Sequence, residues 1–247
     1  MSRKPIYALL PARLGSTRFP EKMLADLAGK PLIVRSCEAV KNTGLFDQVL
    51  VVTDHERILQ AVQAHGCEAV MSRADHPSGS DRIAEIAQNL PEGAIIINVQ
   101  GDEPFTQKAP LEALIHVFAD PKVGVASLMT PLTHTEALHN PNVVKVAVNV
   151  KNDALYFSRA PIPYNRDDNG QNLVAGMHFQ HIGIYAYRRE TLLHFTSLPP
   201  CTLELTEKLE QLRLLFHGIN IRMVTTDALF IGVDTEEDLA RARNKFF

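Results

Sequence analysis

Through the first half of the chain, short apolar runs rich in β-branched residues alternate with stretches whose apolar positions recur at helical spacing. The runs at 6–10, 48–53, 94–99 and 123–129 are brief, branched and bounded by turn residues, which predicts buried strands. Between them, 31–42, 56–64, 79–90 and 110–118 read as amphipathic helices. In the third, Ile83, Ile86, Ala87 and Leu90 share one face, and Asp81 suits its N-terminal end. This order predicts an α/β fold, a Rossmann-like doubly wound and mostly parallel sheet with its ligand crevice at the carboxyl ends of the strands.

Beyond about residue 140 the pattern changes. Strands are predicted at 143–150, 154–158 and 182–187 with no long helix between them, and 161–163 with 165–172 read as exposed loop. Antiparallel pairing or an inserted lobe would account for this. Helical spacing returns at 203–217, where Leu205, Leu209, Leu212 and Phe216 make one apolar face and Gly218 suits the stop. A last strand at 221–225 and a helix at 235–245 follow, with Asp234 or Thr235 as its cap. The organisation expected is one domain over 1–247 with a smaller β-rich lobe at about 143–200, and no internal repeat is visible.

Composition narrows the function. Across 247 residues, 25 Lys and Arg against 28 Asp and Glu leave a formal charge of −3, so no general field exists for nucleic acid or an anionic membrane. No apolar run approaches the roughly 20 residues that span a bilayer. The first residues lack a secretory apolar core and cleavage site, so the expected location is the cytoplasm. Cys37, Cys67 and Cys201 have no CxxC spacing and the histidines no HExxH, which disfavours a disulfide frame and a zinc enzyme.

Three segments carry candidate chemistry. Residues 10–22 follow the first strand and combine Gly15, Ser16, Thr17, Arg13, Arg18 and Lys22, offering N–H groups and three cations to an anion such as a nucleoside triphosphate. The segment is neither GxGxxG nor a P-loop, and read alone it is equally a solvated turn. Asn98-Val99-Gln100-Gly101-Asp102-Glu103-Pro104 leaves an apolar strand with an acid pair where doubly wound folds bind ligands, and Asp is an ordinary Mg²⁺ ligand. Gly232-Val233-Asp234 opens the final helix; capping accounts for it unless Asp234 faces Asp102. Ser78, Gly79 and Ser80 suit either a base edge or a helix cap. Glu207, Glu210 and Gln211 share a polar face of the 203–217 helix, and His181 and Tyr185 share a sheet face.

Taken together, these segments resemble the 3-deoxy-manno-octulosonate cytidylyltransferases, or CMP-Kdo synthetases, over nearly the whole chain. The resemblance rests on 11–18, Gly29-Lys30-Pro31, Thr53-Asp54-His55, Arg73-Ala74-Asp75-His76, 99–104, 154–160, 181–185, 207–213 and 232–239. It implies a transferase that joins CTP and Kdo into CMP-Kdo and pyrophosphate for lipopolysaccharide synthesis, working as a homodimer with Mg²⁺. It further implies Asp102 and Asp234 as metal ligands and Arg18 and Lys22 as catalytic cations. Pro11, Ala12, Arg13, Ser16, Lys22, Arg73, Ser78 and Gly79 would bind nucleotide. Gln100, Arg159, His181, Tyr185, Glu210 and Gln211 would meet the sugar. The alternatives are a cytidylyltransferase for another acidic sugar, such as 8-amino-Kdo or a sialic acid, and a non-catalytic nucleotide-binding protein. The chain departs from the family at Phe19-Pro20-Glu21-Lys22-Met23, where Leu-Pro-Gly-Lys-Pro is common.

Overall fold

The computed structural model describes residues 4–15 and 19–245. They form two compact units: Met1–Glu112 with Arg188–Leu193 and Leu229–Phe247, and Ala113–Tyr187 with His194–Ala228. The second unit thus spans more of the chain than the 143–200 lobe expected from sequence.

In the first unit, strand Ile6–Ala12 lies between Ile95–Asn98 and Gln48–Thr53, and Glu68–Met71 pairs beyond the latter, all parallel. Helices Leu32–Asn42, Glu56–Ala64 and Gly79–Ala87 make the crossovers. The central strand is buried at every position but Tyr7, because a parallel sheet covered on both faces needs a continuous apolar run. From it the chain adds two strands on one side and then returns to the other with Ile95–Asn98. That reversal places a topological switch point, where such folds bind ligands, at the carboxyl ends of Ile6–Ala12 and Ile95–Asn98. The last helix, Glu236–Arg243, starts from a capping box of Thr235 and Asp238. It packs Leu239 and Ala242 against Phe19, Leu27, Leu32 and Val233.

In the second unit, Val125–Pro131 pairs parallel with Ile221–Thr225 and antiparallel with Phe179–Arg188. Lys145–Val148 pairs antiparallel with both Phe179–Arg188 and Ala154–Ser158, so the β-rich stretch is antiparallel. The single helix expected over 203–217 is two: Thr202–Glu207 and Leu212–Phe216, separated where Lys208 turns left-handed at φ 54°. Of the expected apolar face only Leu209 and Leu212 are buried, while Leu205 and Phe216 are exposed. Glu207 therefore does not share a helix face with Glu210 and Gln211. Strand Glu68–Met71 and helices Thr135–His139 and Arg189–Ser197 were not anticipated.

Candidate active site

At the switch point lies a cavity of about 300 Å³. Pro11, Ala12 and Arg13 line it from the end of the central strand, Gln100 and Asp102 from the end of its neighbour. Ser78 and Gly79 line it from the start of a helix, and Lys22 and Asp234 line it as well. The close approach of these elements depends on two glycines. A Cβ on Gly79 would meet the Pro11 ring at 3.2 Å, and one on Gly101 would meet Ile33 Cδ1 at 2.9 Å and the Pro11 carbonyl at 3.0 Å. A larger residue at 101 would have to move the end of Ile33 and crowd the Pro11 carbonyl.

Lys22 sits on a single 3₁₀ turn, Lys22–Leu24, and is 7% exposed. Its ammonium donates to Asp102 Oδ2 at 2.6 Å and Asp234 Oδ1 at 3.0 Å. Burial works against the charge, but the two carboxylates outweigh it and hold the Lys22 pKa above its ordinary value. Asp234 reaches Asp102 across the sequence because Val233 N–H donates to the Asp102 carbonyl at 3.0 Å. On its other side the Asp234 N–H donates to the capping carboxylate of Asp238 at 3.1 Å.

Glu103, beside Asp102, points into protein. Its Oε2 is buried with no hydrogen-bond partner among the described residues, and a Cβ on Gly232 would meet its Oε1 at 3.1 Å. Burial, followed by the charges of Asp102 and Asp234, pushes its pKa up to about 8.

The loop before helix Gly79–Ala87 is pinned from below. Glu85 accepts from Arg73 N–H at 3.0 Å and from the ring of His76. Buried Arg82 donates to Ser72 Oγ at 2.6 Å, Asp54 Oδ2 at 2.8 Å and the Arg73 carbonyl at 3.3 Å. Ser78 caps the helix by accepting from Asp81 N–H at 3.1 Å. His76 and Arg82 line the cavity, whereas the exposed Arg73 side chain does not. Sequence reasoning missed His76 and Arg82 as site residues; both lie in the turn-to-helix segment 73–82, whose Ser78, Gly79 and Ser80 drew the attention. Ser16 and Arg18 lie outside the described residues.

The sugar-side candidates other than Gln100 belong to the second unit. His181 and Tyr185 flank an irregularity between Ile182 and Tyr185, yet their rings stay on one face with centroids 5.4 Å apart. Buried Ser127 Oγ lies 3.1 and 2.9 Å from the carbonyls of Ile182 and Ile184, and 3.0 Å from His181 Nε2. A hydroxyl has one hydrogen, which the carbonyls take, so its lone pair accepts from Nε2–H and fixes that tautomer. Burial pushes the His181 pKa down to about 3. The Tyr185 hydroxyl is buried without a partner among the described residues, and burial, then Tyr187 and Glu210, raises its pKa.

Arg159 turns its guanidinium to backbone: Nε donates to the Glu207 carbonyl at 2.7 Å, Nη1 to Pro141 at 2.9 Å and Nη2 to Lys208 at 3.4 Å. Its own carbonyl accepts at 2.6 Å from Lys145, a fully buried lysine whose three donors meet three carbonyls. Gln211 is buried and Glu210 half-buried.

Among the described residues no group of three or more His, Cys, Asp or Glu is placed to hold a metal. Two carboxylates closing on one cation nevertheless fit the way Mg²⁺ binds beside phosphates, through one or two carboxylates with substrate oxygens completing its shell.

Fold and site together define an α/β protein with a switch-point cavity in which cations and paired acids face one space. Residues 7–221 match the cytidylyltransferase family model. The 3-deoxy-manno-octulosonate cytidylyltransferase of Flavobacterium johnsoniae is 52% identical over 242 residues, 96% of this chain and 97% of its own. That of Christiangramia forsetii is 44% identical over 245 residues, 98% and 97% of the two chains. A solved structure of CMP:2-keto-3-deoxy-manno-octonic acid synthetase complexed with CTP matches with a TM-score of 0.91 at 41% identity, over 98% of both chains. A 4-diphosphocytidyl-2C-methyl-D-erythritol synthase from Anaerococcus prevotii, 13% identical with a TM-score of 0.63 over 98% of both chains, shares the fold. The chain belongs to the cytidylyltransferase family and, within it, to the 3-deoxy-manno-octulosonate cytidylyltransferases.

Proposed function

We propose that this chain joins CTP and Kdo into CMP-Kdo, releasing pyrophosphate and so activating the sugar for lipopolysaccharide synthesis. The observation that carries the reading is the Lys22, Asp102 and Asp234 cluster at the switch point of a chain from this family. The anomeric hydroxyl of the sugar attacks the α-phosphorus in line. Its oxygen–phosphorus bond forms as the bond from the α-phosphorus to the bridging oxygen breaks, pyrophosphate leaves with the electron pair, and the hydroxyl proton passes to solvent. Catalysis of this kind is mostly positioning and charge stabilisation. Arg13, Ser16, Arg18 and Lys22 take the phosphates, and Pro11, Ala12, Ser78 and Gly79 the nucleoside; Arg73, whose side chain does not line the cavity, is left out of this assignment. Asp102 and Asp234 would hold Mg²⁺, which when bound polarises the phosphate and lowers the pKa of the sugar hydroxyl.

For the acidic sugar we assign Gln100, Arg159, His181, Tyr185, Glu210 and Gln211. The Tyr185 hydroxyl, buried without a partner among the described residues, supports this, since a sugar hydroxyl would satisfy it. A cytoplasmic homodimer is part of the reading. It is supported by exposed Leu155, Leu203, Leu205 and Phe216 on a strand and two helices that pack in series in the second unit, and by the lack, among the described residues, of a helix long and apolar enough to cross a membrane. Presence of both acids disfavours a non-catalytic binder, which has less need of them.

Asp102→Asn tests the site. Pyrophosphate release from CTP and Kdo is expected to fall about a hundredfold or more with the thermal midpoint within a few degrees of the parent. Near-parental turnover would return Asp102 to a structural role.

A further inference from the structure

The position of Lys22 bears on the order in which ligands reach the site. Its ammonium is within hydrogen-bond distance of both carboxylates, at 2.6 and 3.0 Å, and so occupies the place between them that a cation would take. The side chain is buried and starts from a short turn that packs against helix Leu32–Asn42 and is tied to Phe19 by the Lys22 N–H, which donates to its carbonyl at 3.3 Å. A divalent cation arriving alone must displace this ammonium and leave it in the protein with its two carboxylate partners taken. An unpaired buried charge is among the costliest states a side chain can occupy. A triphosphate in the same cavity changes the balance, because it offers the displaced ammonium a new anionic partner.

We propose that Lys22 excludes free divalent cations from the Asp102 and Asp234 pair, so that metal enters this site together with nucleotide. The inference rests on the reading of these two acids as the metal site. It makes Lys22 an internal competitor in the free protein and a phosphate ligand in the loaded one. Metal and nucleotide affinities are then coupled, each raising the other through the same side chain.

The test is Mn²⁺ binding to nucleotide-free protein, followed by electron paramagnetic resonance, for the parent, Lys22→Met, Lys22→Gln and Lys22→Arg, each with and without Asp102→Asn. Parent and Lys22→Arg are expected to bind Mn²⁺ weakly. Lys22→Met and Lys22→Gln are expected to bind at least about tenfold more tightly, a gain that Asp102→Asn abolishes. Equal or weaker binding by the neutral variants, sensitive to Asp102→Asn, overturns the exclusion and leaves the metal site standing. No Asp102-sensitive binding in any variant overturns the metal site itself and the inference with it. The parent alone is decisive if the neutral variants do not fold: tight Asp102-dependent Mn²⁺ binding without nucleotide contradicts the proposal.

Discussion

Glu21 adopts φ 52° and ψ 26°, in the left-handed region that favours glycine. Its carboxylate reaches back to the Arg57 guanidinium, with Nη2 at 2.8 Å, and that hydrogen bond leads the lowering of its pKa. The pair is exposed and therefore screened, so the backbone preference dominates the local balance. Glu21→Gly is expected to leave the thermal midpoint unchanged or raise it by about 2–4 °C, whereas Glu21→Ala lowers it by keeping the left-handed turn and losing Arg57. A calorimetric scan in which Gly melts below Ala would contradict this.

His181 gives the clearest dependence on pH at the same scale. Its folded pKa, about 3, lies below the ordinary 6.5, so between these values the unfolded chain binds more protons. The stability it contributes is full above pH 6.5 and drains away as pH falls toward 3. The advantage of the parent over His181→Gln in urea denaturation should shrink by about 1–2 kcal/mol between pH 7 and 5. An advantage that grows on acidification would mean that the ring is charged in the folded protein.

Elements differed in how far the sequence announced them. Strands Gln48–Thr53, Ala154–Ser158 and Ile221–Thr225 and helix Glu56–Ala64 have the bounds that the apolar pattern predicts, because each is a short buried run or a clean helical stripe between turn residues. The 203–217 stretch misled because leucines at helical spacing serve two short helices as well as one long one, and no residue type announced the left-handed Lys208. Edge strand Glu68–Met71 shows no core-facing alternation, with Glu68 and Met71 both exposed. Of the site, the strand-end motifs were legible one by one. Their meeting was not: the tie between Asp102 and Asp234 is a backbone hydrogen bond from Val233, which leaves no mark in side-chain spacing. In the sequence Glu103 is one half of an acid pair at a strand end, and only the fold shows it buried against Gly232.

The final helix matters to the site through packing. Leu239 is 5% exposed in the cluster that holds Phe19 near one end of the Lys22 turn and Val233 near Asp234. Leu239→Ala is expected to cost about 2–4 kcal/mol in chemical denaturation. It should also weaken CTP binding in the protein that remains folded. Full stability would show that the helix is not needed to close this core.

At the scale of the whole molecule, the cavity is built in the first unit, and the sugar-side candidates other than Gln100 belong to the second. Family membership makes CTP and Kdo the first pair to try, while the residues that would separate Kdo from other acidic sugars are few. The most direct measurement is pyrophosphate release by the full chain with Mg²⁺, offering CTP, ATP, GTP or UTP against Kdo, 8-amino-Kdo, N-acetylneuraminic acid or no sugar. Release with CTP and Kdo, and background with the other pairs, is the expected result. Preference for another acid would keep the mechanism and move the error to the sugar residues. Silence with every pair, from folded protein, would contradict the central claim and leave a nucleotide-binding protein in its place.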